Sequence, residues 1–106
     1  MRAKSFIFSN VHRYDLVPEQ VAQAIGVSER YLRDLFATID MSPRRFIWNC
    51  RLERCKIALS DPSQAHRSIS EIAFAWGFND MTHFSRYFRD SLGMSQREYR
   101  DSARKK

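Results

Sequence analysis

Three features of this 106-residue chain predict an all-α fold, two helix-turn-helix subdomains joined by a long central helix, with about seven helices in all. Apolar residues fall at helical spacing, as at Ile72, Ala73 and Trp76 and again at Phe84, Tyr87 and Phe88. Three Gly, three Pro and little period-two alternation leave scant material for strands and their turns. The same pattern of apolar, small and glycine positions also occurs twice.

The second copy is the sharper one. Gly77 follows the stripe of Ile72, Ala73 and Trp76, where a left-handed residue is needed to end a helix. Asn79 or Asp80 then offers a side-chain oxygen to cap the next helix. Small Ala73 allows two helices to cross closely, which completes the pattern of a helix-turn-helix. Fifty-one positions earlier stand Val21, Ala22, Ile25, Gly26 and Val27, the counterparts of Ile72, Ala73, Trp76, Gly77 and Phe78. Ser28 is the counterpart of Asn79 as the cap. Beyond the turn the offset is 52, pairing Leu32, Leu35 and Phe36 with Phe84, Tyr87 and Phe88, so the second turn is one residue longer. Past the helix it is 53, pairing Met41-Ser42 with Met94-Ser95 and Phe46 with Tyr99.

In chain order, residues 3–12 carry Phe6, Ile7, Phe8 and Val11 and form a first helix or its frayed remnant. Pro18 opens a second helix that runs to Ile25. Ser28 caps a third, with Leu32, Leu35 and Phe36 inward and Glu29, Arg30, Arg33 and Asp34 outward. Ser42 caps the long helix, Pro43 takes its first position, and it continues to about Leu59, a length of about 27 Å. The breaker Ser60-Asp61-Pro62-Ser63-Gln64 follows, and Ser68 with Glu71 has the spacing of a capping box. A helix over 79–92 stops at Gly93, and a last one begins at Ser95 before the basic tail Arg104-Lys105-Lys106. The expected division is therefore 1–41, 42–60 and 61–106.

Two Trp, four Tyr and eight Phe give so short a chain the means to bury a core, since each ring can bury roughly 150–250 Å². A formal charge of +6 favours a polyanionic partner, nucleic acid or an anionic surface. No stretch approaches the length of a membrane span, and the N-terminus leads into no signal-peptide core, so a cytoplasmic location is expected. Cys50 and Cys55, five apart in one helix, have poor geometry for a disulfide and read as packing thiols. With His66 they match no standard zinc spacing; no metal and no cofactor is expected.

The residues Ile72-Ala73, Gly77-Phe78, His83-Phe84-Ser85-Arg86, Phe88, Gly93 and Glu98-Tyr99-Arg100, with Arg51-Leu52-Glu53-Arg54 on the joining helix, resemble the DNA-binding domain of the AraC/XylS family of bacterial transcription regulators. The resemblance covers residues 4–100. It implies two recognition helices able to enter adjacent major-groove segments of double-stranded DNA. Carried over by position, base contacts fall to Arg30, Arg33 and Asp34 on the first, and to Met81, Thr82, Ser85 and Arg86 on the second, with Asp80 and His83 nearby. Arg suits guanine, Asp can accept from cytosine, and Met81 or the Thr82 methyl can meet a thymine methyl. Arg44, Arg45, Arg54 and Arg100 are the phosphate candidates, assisted by helix starts near Pro18 and Ile69. The resemblance further implies RNA polymerase as a partner, activation of transcription, and a sensing or dimerising domain on the N-terminal side that this chain does not hold. Two positions depart from the family pattern. Asp40 stands where Gly is usual, and Val17 where Thr or Ser would cap the second helix.

Other classes fare worse. No Ser/His/Asp set, phosphate-cradling glycine loop or paired carboxylates can be placed, so no enzyme is expected and no residue is assigned as catalytic. A membrane-surface helix would leave its apolar face unpartnered, whereas each strong stripe here has a partner in its own repeat. The alternative is a basic helical protein-interaction module without sequence-specific DNA binding. Trp76, Phe78, Phe84 and Phe88 have the spacing of core residues rather than of a base-stacking platform. Glu29 and Asp34 lie close enough to Arg30 and Arg33 for pairing within the helix.

Overall fold

The computed structural model describes residues 2–104; Lys105 and Lys106 of the expected basic tail lie outside the described residues. Seven α-helices and one short 3₁₀ turn make up the described chain, which measures 45 × 24 × 23 Å along its principal axes. The helices are α1 (Arg2–Asn10), α2 (Pro18–Ile25), α3 (Glu29–Ala37), α4 (Pro43–Ser60), α5 (Ile69–Ala75), α6 (Met81–Leu92) and α7 (Gln96–Arg104). The breaker after α4 folds into the 3₁₀ turn Pro62–Gln64, opened by Asp61, whose carboxylate accepts from the Ser63 amide at 2.9 Å.

Local chemistry sets the helix boundaries. The Ser28 and Ser42 hydroxyls accept from the amides of Tyr31 and Arg45 at 3.0 and 3.1 Å, capping α3 and α4. Ser68 and Glu71 form the full reciprocal capping box at the start of α5. A second reciprocal pair, Ser95 with Glu98, opens α7. Val17 gives α2 no side-chain cap, and Pro18 alone shapes its first turn. Asp40 takes the left-handed conformation (φ 55°) in which the family's glycine would sit, and the Met41 amide still closes back onto the Phe36 carbonyl at 3.2 Å. The α6 cap is Asp80, which accepts from both Thr82 and His83. Its counterpart Ser28 therefore pairs with Asp80 rather than Asn79, and Asn79 is the extra residue of the longer second turn.

Two apolar clusters share α4. The first gathers Ile7, Val11, Val21, Leu32, Phe36 and their neighbours from α1 to α3, and takes from α4 the fully buried Ile47. The second gathers Ile72, Ala73, Phe78, Phe84 and Phe88, and takes Leu52, Cys55, Ala58 and Leu59. The aromatic series thus packs as core: Phe78, Phe84 and Phe88 are sealed from solvent, and Trp76 is half-buried against both clusters. Cys55 is sealed in the second cluster and burial pushes its thiol up to about 12; the half-buried Cys50 thiol goes up to about 11. Both stay protonated near neutral pH, as packing groups do. The stripe-for-stripe match is incomplete on the outside, where Phe8, Ile57 and Phe74 remain about half exposed. Among the described residues no helix is long and apolar enough to cross a membrane.

Candidate nucleic-acid interface

Helix α6 is built to present a polar face. Phe84 and Phe88 hold one side in the core, while Asp80 secures the first turn. At about 100° per residue, Thr82 and Arg86 then point away from the core, and both are exposed. Ser85 stands on the flank, half-buried, where its hydroxyl accepts from the Gln96 side chain of α7 at 2.8 Å. Met81 leans inward and packs on the second cluster.

The flanks of α6 carry the positive charge. On one side an open trough of about 850 Å³ is lined by Arg86, Arg89, Arg97 and the serines that start α5 and α7. On the other, a groove of about 250 Å³ brings Arg44 and Arg45, on the first turn of α4, beside Trp48, His83 and Tyr87. The His83 ring lies edge-on to Trp48 at 3.9 Å, and the Tyr87 hydroxyl donates to the Asn49 side chain, so this wall is pinned to α4. Burial raises the Tyr87 phenol further above its ordinary value, keeping it a neutral donor. Guanidinium groups on both sides of a protruding helix suit the two phosphate strands that border a major groove.

Helix α3 repeats the arrangement with less charge. Leu32 and Phe36 are sealed, and Arg30, Arg33 and Asp34 are all exposed. Among the described residues no ion pair within 4.0 Å holds Arg30 or Arg33; the pairs present are Arg13–Asp15 and Lys56–Glu53. Pairing within the helix therefore does not occupy these groups. Tyr31, the counterpart of His83, lines a groove with Arg2 and Ala3 at the start of α1, as His83 does with the start of α4.

Two of the four phosphate candidates stand elsewhere. Arg100, expected on a phosphate, is instead only 8% exposed, and its guanidinium donates to the carbonyls of Gln64 and Ala65 at 2.9 and 3.3 Å. It holds the turn after α4 against α7. Arg54 is exposed but lies over the Trp76 ring at 5.4 Å. Nine residues of helix separate it from Arg45, which turns the two to opposite sides of α4. Arg89 and Arg97, which share the trough with Arg86, are the basic residues that the sequence reading did not single out. Arg89 was recoverable: it stands three positions beyond Arg86 and so on the same face.

Two short helices joined by a glycine corner, the second of each pair polar and exposed, occurring twice about one shared helix, define a double helix-turn-helix DNA-binding module. Residues 21–102 match the family model described as a helix-turn-helix domain. The chain belongs to this family in its AraC type, the DNA-binding domains of AraC/XylS regulators. It is 33% identical over 99 residues to the transcriptional activator NphR of a Rhodococcus species, covering 93% of this chain and 29% of that protein. It is 34% identical over 93 residues to the XylDLEGF operon transcriptional activator of Pseudomonas putida, covering 87% of this chain and again 29% of that protein. The chain thus spans less than a third of either activator. Among solved structures, the AraC-type transcriptional regulator from Chromobacterium violaceum superposes with a TM-score of 0.85 at 30% identity, covering 96% of this chain and 88% of that one. The C-terminal domain of the response regulator AraT from Geobacillus stearothermophilus superposes with a TM-score of 0.85 at 28% identity, covering 95% and 82%.

Proposed function

We propose that both helix-turn-helix units read DNA, with α3 and α6 entering two major-groove segments on one side of a duplex. The observation that carries this is the exposed polar face on each second helix: Arg30, Arg33 and Asp34 on α3, and Thr82 and Arg86 on α6. Among the described residues their arginines hold no ion pair, and Ser85 stands on the α6 flank, bonded to Gln96. Arg33 and Arg86 are assigned to base edges, and Arg44, Arg45, Arg89 and Arg97 to phosphates. Residues 1–41 and 61–106 then act as the two reading units and 42–60 as their spacer. Successive major grooves lie about 34–36 Å apart. A joining helix of about 27 Å falls short of that. Bending the DNA toward the protein closes the gap, at a cost of about 1–6 kcal/mol.

In the cell we assign the module to a bacterial, cytoplasmic transcription activator that touches RNA polymerase and is governed by a sensing or dimerising part on its N-terminal side. Support comes from the two activators above, each much longer than this chain. No catalytic role is assigned.

Selection of binding sites from random duplex DNA at two salt concentrations tests the reading. Two boxes about one helical turn apart are expected, with one box lost in Arg33→Ala and the other in Arg86→Ala. Binding without a motif, vanishing at the higher salt, would leave only a basic helical domain and refute it.

A further inference from the structure

Arg51 faces neither proposed DNA surface, yet it is the most enclosed guanidinium among the described residues, 3% exposed at the middle of α4. Its Nε donates to the Val11 carbonyl at 3.1 Å and its Nη2 to the Arg13 carbonyl at 2.6 Å, both in the segment that follows α1. The Trp48 ring lies under the guanidinium at 5.7 Å. Gly77, the corner of the second helix-turn-helix, closes the assembly. A Cβ added there would lie well inside 3.0 Å of the Val11 carbonyl oxygen and 2.6 Å from Arg51 Nε. One side chain thus bonds the joining helix to the first half, 38 to 40 residues away in sequence, with the corner of the second half directly against it.

Among the apolar groups of the described residues, the half-buried Trp76 is the one packed against both clusters. The second cluster takes four buried residues from α4, whereas the first takes Ile47, with the partly buried Phe46 and Cys50 packed beside it. With fewer buried α4 residues in its core, the first half has the weaker apolar hold on that helix. Arg51, one helical turn beyond Ile47 and about 6 Å away, adds a polar attachment to these apolar ones and restricts how the first half sits on α4.

We propose that Arg51 and Gly77 form a register lock that fixes the separation and angle of α3 and α6, and with them the DNA spacing the protein accepts. The link to DNA rests on the reading that both helices engage it; the lock itself does not. Arg51 acts here as a positioning residue, through the backbone of the first half.

The test measures pose rather than stability. In a Cys50→Ser, Cys55→Ala background, spin labels are placed at Thr38→Cys and Asp90→Cys, exposed positions at the end of α3 and on α6. The free protein is expected to give one narrow distance distribution, and Arg51→Met a broad one with helical content unchanged. Arg51→Lys keeps a charge but can reach only one carbonyl; it gives an intermediate width and stands in if Arg51→Met does not fold. On DNA, the parent is expected to bind its selected two-box site about tenfold more tightly than one lengthened by one base pair, the discrimination that about 1.4 kcal/mol of distortion produces. In Arg51→Met that discrimination is lost while single-box affinity is retained. Equally narrow distributions in the parent and both variants would overturn the lock. A broadened distribution in a protein whose parent selects no two-box site would uphold the lock and refute the two-helix reading.

Discussion

The paired glycines give the sharpest test of how the two halves meet. Gly26 and Gly77 occupy equivalent corners and both have positive φ, +74° and +97°. Alanine at either position pays the left-handed backbone penalty of about 1–2 kcal/mol. Reduced freedom of the unfolded chain returns about 0.4–1 kcal/mol. Around Gly26 nothing lies within 4 Å of an added Cβ, so Gly26→Ala should cost about 1 kcal/mol, or about 4–8 °C in Tm for a domain of this size. At Gly77 the Cβ would overlap the Val11 carbonyl and Arg51 Nε. Relief requires both to move apart, which breaks the Nε bond of a buried guanidinium; a hydrogen bond to a charged group is worth about 1.5–3 kcal/mol. Gly77→Ala should therefore lose about 1.5–3 kcal/mol more than Gly26→Ala. Urea titration of the two variants, with equal m-values as a check on two-state behaviour, measures the difference. Equal losses would mean that a small backbone shift absorbs the overlap, and the close approach would then constrain nothing.

Other substitutions separate surface charge from structural charge. Arg44→Ala and Arg45→Ala should each lower the slope of log K against log salt by about 0.9, one phosphate apiece, in a filter-binding or fluorescence titration. Arg100→Met should leave that slope unchanged and instead lower unfolding stability by about 1–3 kcal/mol, because the carbonyls of Gln64 and Ala65 lose their donor. Asp40→Gly should raise the urea midpoint, by up to about 1 kcal/mol in unfolding free energy, since a glycine carries no Cβ strain at φ 55°. The Glu71 carboxyl is held below its ordinary 4.5, chiefly by the Ser68 amide and then by its hydroxyl. Its contribution is therefore full above 4.5 and lost as pH falls through the lowered value. Thermal melts between pH 6 and pH 3 should show a decline that Ser68→Ala makes shallower.

What could be read from the sequence was local chemistry. The caps Ser28, Ser42 and Ser68, Pro43 at the head of α4, and the corner glycines act within four residues of themselves, so their spacing alone identifies them. The outward faces of α3 and α6 followed from the same periodicity. Two buried arginines were missed because their partners lie far off in sequence, Val11 and Arg13 for Arg51, Gln64 and Ala65 for Arg100. Position in the helix did carry a signal. Arg51 falls in the inward stripe with Ile47, Cys55 and Ala58, and Arg100 in that with Gln96, Tyr99 and Ala103. A charge in an apolar stripe needs a buried acceptor, which is a stronger cue than its sign. The α6 cap shows a different limit, because Asn79 and Asp80 have equal capping chemistry and only the turn's length chooses between them.

The two halves share a fold but not the same local support. In the second, α5 opens with a reciprocal capping box, the Asp80 carboxylate takes two amides of α6, and Ser95 and Glu98 secure α7. In the first, α2 starts from Val17 without a side-chain acceptor, and the turn after α3 holds Asp40 at positive φ where glycine would be unstrained. A cap contributes about 1 kcal/mol. The first half thus lacks about one such increment, at the start of α2, and it also holds α4 by fewer buried residues. Arg51 runs its bonds from α4 into that weaker half. The second half, with α4 fixed to it, is the frame, and the first is the part that must be held in place. Arg51 stands between the α4 residues of the two cores, Ile47 on one side and Leu52 on the other.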